Sequence, residues 1–163
     1  MKSLNEIRLA QELIRFRTIK TEDKGIMKFL SKKLSSIGFK CKIIKSKGLN
    51  SKPALNLFAK FGNSRPHINF LGHSDVVLNL DNWNVSPFKG LVKKGYLHGR
   101  GAQDMKGGIA CWISAVSHFI KKKKFKGSLS IIIAADEETS GLGTPAVMKY
   151  LRNKKEKIDF AIV

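Results

Sequence analysis

Five of the twelve acidic residues in this 163-residue chain fall into three short motifs, each placed where an apolar run gives way to a loop. The first is Gly72-His73-Ser74-Asp75, closing a strand-like run that starts at His67. Residues i and i+2 of an extended chain share a face, so His73 and Asp75 can serve one site. An imidazole can ligate a metal through one nitrogen while a carboxylate fixes its tautomer through the other. The same pair also reads as a strand-end histidine beside a turn aspartate. The second motif runs from Gly99 to Gly108 (GRGAQDMKGG). It lacks the spacing of a phosphate-binding loop, and Gly99-x-Gly101-x-x-Asp104 has no third glycine. Asp104 is either the N-cap of the next helix or a carboxylate held rigidly with two oxygens free to bridge cations. The third, Asp136-Glu137-Glu138-Thr139-Ser140-Gly141, follows a β-branched run. It is either a solvated turn or the source of one metal ligand and one free base, the pairing that metal-assisted hydrolysis uses.

The elements that position these motifs are readable from periodicity. Apolar residues from Leu4 to Phe16 and from Ile26 to Ile37 recur at helical spacing, the second run stopping at Gly38. Short strands are expected over Phe39–Lys45, Leu55–Phe61 and His67–Gly72, and a hairpin over Lys89–Leu97 turning at Lys94-Gly95. A helix follows over Ile109–Ile120, then a strand buried on both faces over Leu129–Ala135. A helix from about Thr144 to Leu151, with Pro145 at its first position, and a strand over Ile158–Val163 complete a βαβ unit. The implied architecture is α/β, a mostly parallel mixed sheet flanked by helices. His67, His98, His118, Trp83, Trp112 and Phe119 read as structural, and Arg100 as hydrogen-bonded near the motifs.

Composition narrows the function. No unbroken apolar run is longer than Ile131–Ala135, which is far too short to span a bilayer, and the N-terminal residues lack a signal-peptide core. Cys41 and Cys111 have no metal-type spacing and read as reduced cytoplasmic thiols. The formal charge of +19 raises the question of nucleic acid. However, 25 of the 31 cations are lysines spread along the chain, including Lys121–Lys124, without the arginines and interleaved aromatics of specific readers. A small-molecule partner, not nucleic acid or a membrane, is the expectation.

In this order the motifs are more specific than any one alone. With Leu55-Asn56-Leu57, Trp83, Pro87-Phe88 and the three acidic segments, the chain resembles the di-zinc peptidase and deacylase family of the acetylornithine deacetylase, succinyl-diaminopimelate desuccinylase and carboxypeptidase G type. The strand Asn56-Leu57-Phe58-Ala59-Lys60 and its close spacing into His73 are most like the desuccinylase branch. The resemblance implies a three-layer zinc-peptidase-like catalytic domain. It makes His73 a ligand of one zinc, Asp104 the carboxylate bridging two, Glu138 a ligand of the second, Glu137 the general base and Asp75 the residue orienting His73. It also implies a cis peptide at Asp104–Met105, two Zn²⁺ with Co²⁺ possible in the second position, and hydrolysis of an N-acyl amino-acid amide. The N-succinyl-LL-2,6-diaminopimelate of lysine and diaminopimelate biosynthesis is the expected substrate; acetylornithine deacetylase, an aminoacylase or peptidase, and a catalytically dead module are the alternatives. The family pattern adds a glutamate beyond Val163, a distant histidine and a lid domain that makes a homodimer. Residues 1–163 are therefore expected to be the N-terminal part of a metal-dependent catalytic domain, with weak zinc affinity and little hydrolysis alone.

Overall fold

Seven consecutive residues, Ser128–Ala134, are buried, and a strand buried along its whole length needs cover on both faces. The computed structural model, which describes residues 4–47, 53–78, 82–122 and 125–163, supplies that cover. In chain order the elements are α1 (Glu6–Ile14), α2 (Ile26–Ser36), β1 (Lys40–Ser46), β2 (Ala54–Phe61), β3 (His67–His73), β4 (Leu91–Lys93), β5 (Tyr96–His98), α3 (Gly107–Lys122), β6 (Ser128–Ala134), α4 (Gly143–Asn153) and β7 (Phe160–Ile162). The main sheet has the order β1-β2-β6-β3-β7. β2 pairs antiparallel with β1 and β6, whereas β3 pairs parallel with β6 and β7. Four of the five strands thus run one way and β2 runs against them, so the sheet is mixed as expected. Among the described residues no helix is long and apolar enough to cross a membrane. Lys123, Lys124 and Asp81 lie outside the described residues.

Alternation along β6 divides the core. Ile131 and Ile133 join Leu57, Phe70 and the apolar faces of α1, α2 and α3. Ile132 points the other way and meets Phe58 with Val147 and Leu151 of α4. The result is three layers, with α4 alone on the second face. The chain passes from β3 through α3 to β6, then from β6 through α4 across β3 to β7. It turns back on itself at adjacent strands, and in open α/β sheets such a reversal leaves a crevice at the carboxyl strand ends. The parallel register sets His73 opposite Ala134, so the 73–76 and 135–138 loops leave the sheet side by side.

Local chemistry fixes the element ends. Asn5 accepts the Arg8 amide at 2.9 Å, starting α1 at Glu6 rather than Leu4. Gly38 (φ 95°) closes α2: its amide donates to Ser35 O, and that of Phe39 to Leu34 O. Lys94-Gly95, both at positive φ, make the β4–β5 turn expected from sequence. Pro145 is the third residue of α4, not the first, because the Asp136 carboxylate accepts the Leu142 and Gly143 amides at 3.0 and 2.7 Å and starts the helix earlier. A side chain at Gly143 would collide with Asn56 Oδ1 and Asp136 Oδ1, so this close approach requires glycine.

β7 is docked by Asp159, whose carboxylate pairs with Arg65 and accepts the His67 amide at 2.7 Å. The Arg65 hydrogen bond, then the His67 amide, lower its pKa to about 2. The folded state therefore holds this carboxylate's proton less tightly than the unfolded chain. The resulting stabilisation is complete above about pH 4 and disappears as pH falls toward 2. Asp159→Asn should flatten that part of the stability profile in urea unfolding. An unchanged acid limb would remove Asp159 as its source.

Candidate metal centre

His73 is the last residue of β3 and is 6% exposed. Its Nε2 lies 2.9 Å from Asp104 Oδ1 and 3.8 Å from Glu137 Oε2, and its Nδ1 lies 3.2 Å from the Asp75 carbonyl and 3.5 Å from Asp75 Oδ1. Burial opposes charge on the ring, but hydrogen bonds from Asp75 and Asp104 outweigh it and raise the His73 pKa to about 9. Glu138 has a raised pKa as well, first from burial and then from the Asp104 charge. A buried imidazole that prefers to be cationic, facing carboxylates that repel one another, marks a place where positive charge is stabilised.

Asp104 sits in a kinked turn, Ala102–Lys106, where its backbone is extended (φ −122°, ψ 98°). Since α3 begins at Gly107, the N-cap alternative for Asp104 does not hold. The Asp104–Met105 peptide is cis. One ligand atom from each of His73, Asp104 and Glu138 lies within 4.8 Å of the others. One imidazole nitrogen and two carboxylate oxygens form a donor set suited to zinc and similar divalent ions. These residues could hold a metal ion. A cavity of about 530 Å³, lined by Asp104, Glu138, Trp83, Arg100 and Val76, opens beside them. The Arg100 guanidinium lies 5.4 Å from the Trp83 ring centroid, so Trp83, expected to serve packing, walls this cavity.

The remaining acids of the motifs organise backbone. Asp75 is 1% exposed, and its carboxylate accepts the Glu137 amide at 3.2 Å and the Glu138 amide at 2.9 Å. It thereby holds the two-glutamate loop against the end of β3. Asp136, fully buried, is occupied by Ser140, Leu142 and Gly143 and is not part of a solvated turn. Two residues that the sequence did not single out also reach this region. Thr18 Oγ1 donates to Ser74 O at 2.6 Å, and the buried Lys106 Nζ donates to Phe16 O at 2.7 Å. Burial lowers the Lys106 pKa to about 8 despite the opposing Asp75 charge. Nothing in a lysine opening an apolar helix announces that it points inward. His67 is structural, between Ser130 Oγ and Lys157 O, and His118 bonds Ser114 O within α3; His98 ends β5 with its side chain exposed.

Comparison with known proteins fits this geometry. The sequence profile of peptidase family M20/M25/M40 matches residues 70–163, which include His73, Asp104 and Glu138. The chain belongs to this family. It is similar to the succinyl-diaminopimelate desuccinylase of Pelagibacter ubique (strain HTCC1062), 52% identical over 167 residues, covering 100% of this chain and 44% of the relative. The protein of the same name from Ehrlichia canis (strain Jake) is 41% identical over 165 residues, covering 99% of this chain and 43% of the relative. The M20 chain thus spans less than half the length of these relatives. Human carnosine dipeptidase 1 shares its fold at TM-score 0.83 and 22% identity, over 96% of this chain and 37% of that one. The M20 metallo-carboxypeptidase Sso-CP2 from Sulfolobus solfataricus does so at TM-score 0.79 and 22% identity, over 99% and 37%.

Proposed function

We propose that residues 1–163 are the N-terminal part of the catalytic domain of a cytoplasmic amide hydrolase that releases succinate from N-succinyl-LL-2,6-diaminopimelate. The observation that carries the reading is the convergence of His73, Asp104 and Glu138 beside an open cavity. The substrate class rests on the 52% identity to a desuccinylase over the whole chain. In this reading His73 and Asp104 hold one Zn²⁺, Asp104 and Glu138 a second, with Co²⁺ acceptable in the second place. When bound, the ions would polarise the amide carbonyl and lower the pKa of water. The chain's own groups do the rest. Asp75 fixes both glutamates by their amides, so Glu137 and Glu138 take separate tasks. Glu137, with a side chain 59% exposed, is free to take a proton from water and return it to the leaving amine. Asp75, close to His73 Nδ1, leaves Nε2 to face the ligands. In this reading further ligands, a lid domain and homodimer contacts would come from outside residues 1–163, which cover 44% of the Pelagibacter ubique relative.

The test joins residues 1–163 to the remaining portion of the Pelagibacter ubique relative and assays N-succinyl-diaminopimelate against N-acetylornithine, beside the 163-residue chain. The chimera should hydrolyse the succinyl substrate preferentially, and the short chain should bind zinc weakly with little turnover. Preference for acetylornithine would move the chain to that branch, and full turnover by the 163-residue chain would refute the partial-domain reading.

A further inference from the structure

Residues 16–19 contact both of the segments that carry the candidate ligands His73 and Asp104. Thr18 is 1% exposed; its hydroxyl donates to Ser74 O, and its carbonyl accepts the Val76 amide at 2.9 Å. Ile19 and Val76 form a short parallel bridge. One turn away, the fully buried Lys106 reaches the Phe16 carbonyl. The segment is therefore fastened at one end to the loop carrying His73 and Asp75, and at the other to the turn carrying Asp104. That turn is closed on itself by Ala102 N to Gly99 O and Lys106 N to Gly101 O, and it lies outside the sheet ladder. The Asp104 side chain is 72% exposed and meets His73 Nε2 at 2.9 Å, so the placement of its turn sets where its carboxylate stands relative to the imidazole.

We propose that residues 16–19 form a latch setting the separation of the two ligand-bearing loops, with Thr18 and Lys106 as positioning residues of the metal centre. The inference rests on the metal-centre reading above. It assigns a role to a hydroxyl and an ammonium that touch neither the ligand atoms nor the cavity. Partners that orient metal ligands from behind commonly matter to affinity about 10–100-fold.

Thr18→Val keeps the shape and removes the hydroxyl, while Thr18→Ser keeps the hydroxyl. Both are prepared in the chimera with the relative's remaining portion, matched for folding by circular dichroism and thermal unfolding, and titrated with Zn²⁺ by calorimetry and Co²⁺ by visible absorption. Thr18→Val should weaken both ions about 10-fold or more and alter the Co²⁺ spectrum, and Thr18→Ser should restore the parent behaviour. Lys106→Met should weaken both ions likewise; if it does not fold, the Thr18 pair decides. A folded Thr18→Val chimera with parental affinity, or a Thr18→Ser chimera as weak as the valine variant, would overturn the latch alone. A parent chimera that binds neither ion would overturn the metal-centre reading and the latch together.

Discussion

Glu137→Gln, introduced into the chimera with the relative's remaining portion, should retain its full metal content and lose amide hydrolysis by about 10²–10⁴-fold, the span of a general base. The expectation follows from the division imposed by Asp75. Glu138 belongs to the ligand cluster, whereas Glu137 Oε2 stands 3.8 Å from His73 Nε2 with most of its side chain in solvent. Glutamine is nearly isosteric and keeps the main-chain bond to Asp75, so only the basic oxygen is lost. Glu138→Gln should instead lower metal content first and activity as a consequence. Metal analysis beside kcat separates the two outcomes. Normal turnover by the Glu137→Gln chimera would show that the base lies elsewhere.

Asp75→Asn should destabilise the fold. The carboxylate is buried and accepts two amides of the glutamate loop. Asparagine has one acceptor oxygen, so its amide group meets an N–H that it cannot satisfy. An orphaned donor costs about 1–3 kcal/mol. A loss of about 1–3 kcal/mol is therefore expected in urea unfolding at neutral pH. That is a large share of a small domain's stability. A loss below about 1 kcal/mol, typical of one ordinary hydrogen bond, would show that Asp75 is not the clamp described.

Much of this arrangement is legible from sequence because its signals are local. The β-branched run at 129–135, the helix stop at Gly38 and the Lys94-Gly95 turn each carry their own conformational cause. The motifs that carry the candidate ligands stand out because carboxylates gather at strand ends in a chain otherwise rich in lysine. What is hidden depends on long-range partners. Thr18 acquires its meaning only from Ser74, 56 residues away. Lys106 looks solvated until the packing of α1 closes over it. Asp136 looks like a member of an acidic turn, yet it serves as the distant cap of α4, which also displaces Pro145 from the start of that helix.

The pairing of His73 with Ala134 makes spacing along two neighbouring strands part of the chemistry. A single residue inserted within 129–134 would shift the glutamate loop by about 3.3 Å relative to the imidazole and turn alternate side chains to the opposite layer. A change in length should be tolerated better in connections away from this pairing. An added glycine between Phe61 and His67, at the far end of β3, should be far better tolerated than one between Ile131 and Ala134. The end of the sheet opposite the candidate ligands is thus where the fold should accept an extra residue.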